Sequence, residues 1–230
     1  MSPRPLELFD LPKLPQFRNE IISLDCARIL TRGNPLRAVN FLVHLNPTRR
    51  IYTAIHESEN GESLLGSIRQ QEGESFARLT YLAPIGALTV DVLPLIEHFI
   101  AHAKDWGAYQ VVAEIDEESP LFQPLRQSGF SVYSRQRIWD LSEIELPEEN
   151  PSYWRHVREM DRLAIQSLQR QLVPPLLQHV ENFEHPKRGL VCKNVEMLAY
   201  IDALYGARGI FLRPLIHPNV DDVRTKLEAM

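Results

Sequence analysis

The chain has 230 residues and 44% hydrophobic content, enough length and apolar side chain for one large domain or two small ones with buried cores, which excludes a disordered chain. Asp and Glu number 30 against 25 Lys and Arg, a net charge of -5 at pH 7, so there is no basic field to hold a polyphosphate backbone and nucleic acid is not an expected partner. Cys26 and Cys192 lie far apart without CxxC spacing and read as small apolar core residues in a reducing cytoplasm, while the absence of a signal-like N-terminus or of an apolar run near ~20 residues predicts an internal protein without a membrane span.

In chain order, Leu6 to Phe9 suits a short strand, and Asp10 suits the cap of a helix entered through Pro12. Ile21 to Leu30 is apolar at helical spacing until Thr31-Arg32-Gly33-Asn34-Pro35 stops it, and Pro35 starts a further helix that runs to Asn46-Pro47. Three strands follow as an antiparallel meander, Ile51 to Ile55, Leu64 to Arg69 and Phe76 to Leu82, separated by the polar turns around Gly61 and Gly73. The period then changes. From Asp91 to Trp106, residues Val92, Leu95, Ile96, Phe99, Ile100 and Ala103 share one helical face, and Gly107 suits the stop. Tyr109 to Ile115 reads as a strand reached through that helix, hence parallel to its predecessor. Leu121 to Arg126 reads as a short helix ending at Gly129, and Phe130 to Leu141 as a final strand.

The order of three strands, helix, strand, short helix and strand, together with Val111-Val112-Ala113-Glu114-Ile115, Leu121-Phe122 and Leu125-Arg126-Gln127-Ser128-Gly129-Phe130, resembles the GNAT superfamily of acyl-CoA-dependent N-acyltransferases. The resemblance implies an α/β fold with a mixed central sheet and flanking helices over residues 1-142, and acyl transfer from acetyl-CoA to a small-molecule or peptide amine. It further implies that the backbone of Leu82 and Ala83 pairs with the pantetheine arm and that Ile85, Gly86, Ala87 and Leu88 receive the pyrophosphate. Glu114 is then the expected base and Tyr133 the expected acid, with Tyr81 as the other tyrosine near the cleft. The matching loop, Leu82-Ala83-Pro84-Ile85-Gly86-Ala87-Leu88, keeps one glycine of the family's phosphate loop and lacks its basic residue. No tyrosine stands in Leu121 to Arg126, and Asp116-Glu117-Glu118 stands where the family commonly has an asparagine. Degeneration and a different cofactor geometry both fit these departures, so a catalytically inactive GNAT-fold module for binding or assembly is the alternative expectation.

A Glu- and Pro-rich linker covers 143-151, and residues 152-230 repeat the order as a partial second copy: helix from Trp154 to Leu168, helix from Val173 to Val180, strands at Gly189 to Cys192, Met197 to Tyr205 and Ile210 to Ile216, and a helix from Val223. A sheet cut short there leaves an open edge. The expectation is a shortened tandem protein, or a chain whose Ile210 to Ile216 strand is covered by the first domain or by a second subunit in a homodimer. His98 and His102, one helical turn apart, have metal-face spacing but no third ligand nearby in sequence, so a solvated helix face is expected. Tyr133, Arg135, Arg137 and Trp139 alternate as on an exposed strand face, an arrangement that could also grip a planar or phosphorylated ligand.

Overall fold

The computed structural model of the chain describes residues 2–37, 50–58, 61–71, 73–86, 92–143, 153–175, 177–181, 189–193 and 197–228. By its contacts the chain divides into two compact units, Met1–Ser131 and Val132–Met230.

The first unit is a mixed α/β unit with helices against a mixed sheet. Its strands are β1 (Arg4–Pro5), β2 (Ile22–Ser23), β3 (Ile51–Glu57), β4 (Ser63–Arg69), β5 (Phe76–Ala83) and β6 (Gln110–Val112), and its helices are α1 (Leu14–Phe17), α2 (Cys26–Arg32), α3 (Val92–Asp105) and α4 (Phe122–Gln127). The strand order is β1-β3-β4-β5, and the far edge of β5 is shared between β2 and β6. The meander is as expected, antiparallel from Ile51↔Arg69 to Glu57↔Ser63 and on to Leu65↔Ala83.

One irregularity organises this sheet. Ser67 pairs with Tyr81 but Ile68 pairs with Leu79, leaving Thr80 as a bulge in β5. A bulge reverses side-chain parity. Leu79 and Leu82 therefore share one face, packed with Leu64, Ile68, Leu95, Ile96 and Phe99, while Tyr81 and Ala83 join Leu14, Phe17, Leu36, Ile55 and Leu65 on the other. The predicted face of α3 is buried at Val92, Leu95, Ile96, Phe99 and Ala103. Both α3 and α4 stop at a glycine with positive φ, Gly107 at 80° and Gly129 at 90°. At each stop two N–H groups turn back to the last-turn carbonyls: Ala108 to Ala103 and Gly107 to Lys104, then Phe130 to Leu125 and Gly129 to Arg126.

Several expected elements differ. The first strand is Arg4–Pro5, and Leu8–Lys13 forms a 3-10 turn instead of continuing Leu6 to Phe9 as a strand. The cause is Asp10, whose carboxylate accepts both terminal nitrogens of Arg4 at 2.7 and 2.8 Å and the Glu7 N–H at 3.0 Å, closing the chain on itself. The helix expected over Ile21 to Leu30 begins only at Cys26, because Asp25 caps it by accepting the Arg28 N–H, and Ile22–Ser23 pairs with β5 instead. The strand at Tyr109 to Ile115 narrows to Gln110–Val112. Residues 130–141 join no sheet and 131–141 are exposed, so the expected closing strand is not formed among them. The helix expected from Pro35 to Asn46 falls mainly on residues 38–49, outside the described residues, as does the linker from residue 144 onward.

In the second unit, β7 (Arg155–His156), β8 (Gly189–Lys193), β9 (Met197–Gly206) and β10 (Gly209–Ile216) form a sheet of order β10-β9-β8-β7, antiparallel throughout. Helix α5 (Arg162–Leu172) buries Ile165 and Leu168 against Val191 and Tyr200, and α6 (Val223–Glu228) is the last element. The three long strands and α6 match expectation. Trp154 to Asp161 does not begin a helix: it forms β7 and a 3-10 turn at Glu159–Asp161. Residues 173–175 and 177–180 form bends and turns in place of the expected second helix, and Pro174 and Pro175 stop the continuation of α5. β10 is the edge of this sheet, with Ile210 56% exposed.

The second unit opens as the first does. Arg155 donates to both oxygens of Asp161 at 2.6 Å, Asp161 accepts the Arg158 N–H at 2.9 Å, and a short antiparallel pairing precedes the turn, Arg155↔Val191 here and Arg4↔Ile55 in the first unit. Arg4 lowers the Asp10 carboxyl to about 2. The unfolded value is near 3.9, so the clamp's stabilisation is complete above that pH and lost as pH falls toward 2. Asp10→Asn should cost about 2 kcal/mol at neutral pH and almost nothing near pH 2. Urea unfolding at both pH values checks this, and an equal cost at both would remove the charge-based account.

Candidate functional site

Strands β5 and β6 run parallel and pair only over Phe76↔Gln110, Ala77↔Val111 and Arg78↔Val112. Beyond the Thr80 bulge they part, as a sheet must to admit a ligand past its strand ends. The gap is filled by the chain itself. Ile22 pairs with Leu82 and Ser23 with Tyr81; the Leu24 N–H donates to the Thr80 carbonyl at 2.9 Å, and the Leu24 carbonyl accepts the Glu114 N–H at 3.0 Å. The Leu24 backbone thus bridges β5 and the segment that follows β6. The Leu24 side chain is wholly buried among core residues that include Leu79, Leu82, Leu121 and Leu125.

Glu114 holds this wedge in place. One oxygen accepts from Arg78 at 2.9 Å and the other accepts the Cys26 N–H at 2.8 Å, at the start of α2. Asp25 anchors the other side by accepting from Arg69 Nη2 at 3.0 Å and Nε at 3.2 Å. Cys26 is half-buried, and burial first, with the Glu114 carboxylate second, pushes its thiol up to about 11. Cys192 is buried, as expected.

The expected cofactor residues Leu82, Ala83, Ile85 and Gly86 lie at and just beyond the end of β5. Leu82 has strand neighbours on both edges, Gly66 and Ile22, which leaves its backbone no open edge for a pantetheine arm. Ile85 and Gly86 are exposed, and a Cβ built on Gly86 meets nothing within 4 Å, so no cradle there requires a glycine. Ala87 and Leu88 lie outside the described residues. Glu114 belongs to the first unit and Tyr133 to the second, where the Tyr133 hydroxyl donates to Glu181 at 3.2 Å. Tyr81 is a core residue with no exposed surface, its phenol pushed far up by burial. Tyr133, Arg135, Arg137 and Trp139 stand on an exposed stretch that joins no sheet, so the strand face that their alternation suggested does not form.

His98 and His102 are not a solvated face. They pack on Tyr52 of β3, whose hydroxyl lies 2.8 Å from His98 Nε2 and whose ring stacks on His102 at 3.7 Å. No group of three His, Cys, Asp or Glu able to hold a metal ion occurs among the described residues. Burial lowers both imidazoles below 6.5. Below 6.5 the unfolded chain therefore binds more protons than the folded one, and stability should fall as pH drops from 6.5 toward the lower folded values and stay level above. Urea midpoints at about pH 7.5 and about pH 5.5 should differ, and less so in a His98→Gln/His102→Gln variant; an unchanged difference would count against the pair.

The sequence reading missed the wedge and its two anchors. It also missed the Arg-x5-Asp spacing, repeated at Arg4/Asp10 and Arg155/Asp161, a signal that was open to it. Among the described residues no helix is long and apolar enough to cross a membrane. No family model, curated protein or solved structure matches the chain.

Proposed function

We propose that this chain is a GNAT-like binding or assembly module, with a partial second copy, whose acyl-CoA cleft is filled by its own residues Ile22 to Leu24. The observation that carries the reading is the Leu24 peptide, hydrogen-bonded to Thr80 on one side and Glu114 on the other. The mixed sheet with α3 and α4 on one face supports the family likeness, and the repeated clamp at Arg4/Asp10 and Arg155/Asp161 supports the tandem copy. Exposed Ile210 and Tyr205 along and beside the β10 edge support a second copy of the chain as the assembly partner. Sedimentation of the full chain should then give a dimer, and a monomer at all accessible concentrations would remove that part of the reading.

The second reading is an N-acyltransferase acting on an amine, and its support is that the wedge pairs with β5 through only two residues, Ile22 and Ser23. Displacing it would open the gap. Acetyl-CoA separates the two readings: a ligand of the folded state stabilises by RT ln(1 + [L]/Kd), about 2.7 kcal/mol at a hundredfold excess over Kd. The module predicts no thermal shift and no CoA release with a panel of small and peptide amines. A saturable shift with CoA release would overturn it in favour of the transferase.

A further inference from the structure

Beside the wedge, a pocket opens between α2, β3, β4 and β5, lined by Arg28, Arg69, Asp25, Ser23 and Thr80 and walled by Ile29, Pro35 and Ile51. Its hydrogen-bond donors are largely committed. The Thr80 hydroxyl donates to the Ser67 carbonyl at 3.0 Å, the Ser23 hydroxyl donates to the Asp25 carbonyl at 3.2 Å, and Arg69 gives Nε and Nη2 to Asp25. The Arg28 guanidinium has no hydrogen-bond or ion-pair partner among the described residues. It is also crowded by charge of its own sign: burial, then Arg69, lower it to about 10, Arg32 adding to the effect and Asp25 offsetting part of it.

A partly buried guanidinium without a partner is costly, and it is relieved by an anion that meets its fork. The charges in the pocket decide which anion. Asp25 already offsets Arg69, so Arg28 leaves one uncompensated positive charge, which a monoanion balances and a dianion exceeds. A single guanidinium fork matches the two oxygens of a carboxylate, whereas a phosphate leaves further oxygens without donors. The Ile29, Pro35 and Ile51 walls suit a short alkyl group behind it. We propose that this pocket binds a small organic monocarboxylate through Arg28, an assignment that goes beyond the module reading and stands whether or not acyl-CoA binds.

Sodium butyrate is the probe, compared with butyramide, sodium chloride and sodium phosphate at equal concentration on the full chain, read by thermal shift and by titration of amide chemical shifts. Butyrate should raise the melting temperature saturably and move the amides of residues 23 to 33, with butyramide inactive and phosphate much weaker. Arg28→Gln should weaken butyrate binding at least tenfold, and because it removes a cation without a partner it should melt no lower than the parent in the absence of butyrate. Equal responses to butyrate and butyramide, a phosphate response as large as that of butyrate, or unchanged binding in Arg28→Gln would each overturn the proposal.

Discussion

Leu24→Ala is expected to destabilise the first unit by about 3 kcal/mol, because it empties a wholly buried site whose surroundings are strands on both sides and cannot collapse freely. For a unit of this size that corresponds to a melting temperature lower by about 10 °C. Hydrogen exchange of the β5 amides reads the loss locally, in the unit where it occurs. Ile210→Ala, at an exposed position of β10, is the control and should stay within about 0.5 kcal/mol. A cost under about 1 kcal/mol for Leu24→Ala would mean that the wedge is lightly held, and with it the module reading would lose its main support. The contrast matters because the two substitutions remove leucine- or isoleucine-sized side chains that hydropathy alone cannot rank.

Gly66→Val should cost more still, at least about 4 kcal/mol, and Gly66→Ala about 2 kcal/mol. A Cβ at Gly66 would stand 2.5 Å from Leu82 Cδ2 and 2.7 Å from Phe99 Cε2, and both of those side chains are fully buried. Neither can step aside without moving α3 or β5. Pairing Gly66→Ala with Phe99→Leu should recover part of the loss, since it removes one of the two obstacles. Gly86→Ala, in contrast, adds its methyl group to open space and should be neutral within about 0.5 kcal/mol. Circular dichroism melts of the four variants decide the matter: a tolerated valine at 66 would refute the close approach of β4 to α3. The two glycines also separate the functional readings, because an acyl-CoA loop would make Gly86 the sensitive position in an activity assay.

The parts of this fold that were legible in the sequence are those determined by near neighbours. α3 announced itself through Val92, Leu95, Ile96, Phe99 and Ala103, and its stop through Gly107, all within fifteen or so residues of one another. The meander was legible through alternation and its glycine turns. The wedge was not, because Ile21, Ile22 and Leu24 have spacing that suits a helix equally well, and the choice is made by a carbonyl at Thr80, far along the chain. The bulge that frees this carbonyl leaves no local mark either. Phe130 to Leu141 erred in the opposite sense: its apolar and aromatic residues favour a strand, but a strand needs a partner, and these residues have no ladder in the first unit. At the site, the role of Glu114 was out of reach for the same reason. Its two partners, Arg78 and the Cys26 N–H, come from other elements, whereas Arg4 and Asp10, six residues apart, were open to view.

The bulge at Thr80 makes β5 a strand with a reading frame. Upstream of it, odd-numbered residues such as Ala77 and Leu79 face α3; downstream, the even-numbered Leu82 does. A substitution at Thr80 leaves that frame intact. Removal of the residue would close the bulge into a regular ladder and keep Tyr81, Leu82 and Ala83 on their present sides, but the carbonyl that receives Leu24 would be lost. A deletion or insertion elsewhere in β5 would instead exchange the two faces beyond it, so a change of length is absorbed only at Thr80 and is far less tolerable than a change of letter at any other position of the strand.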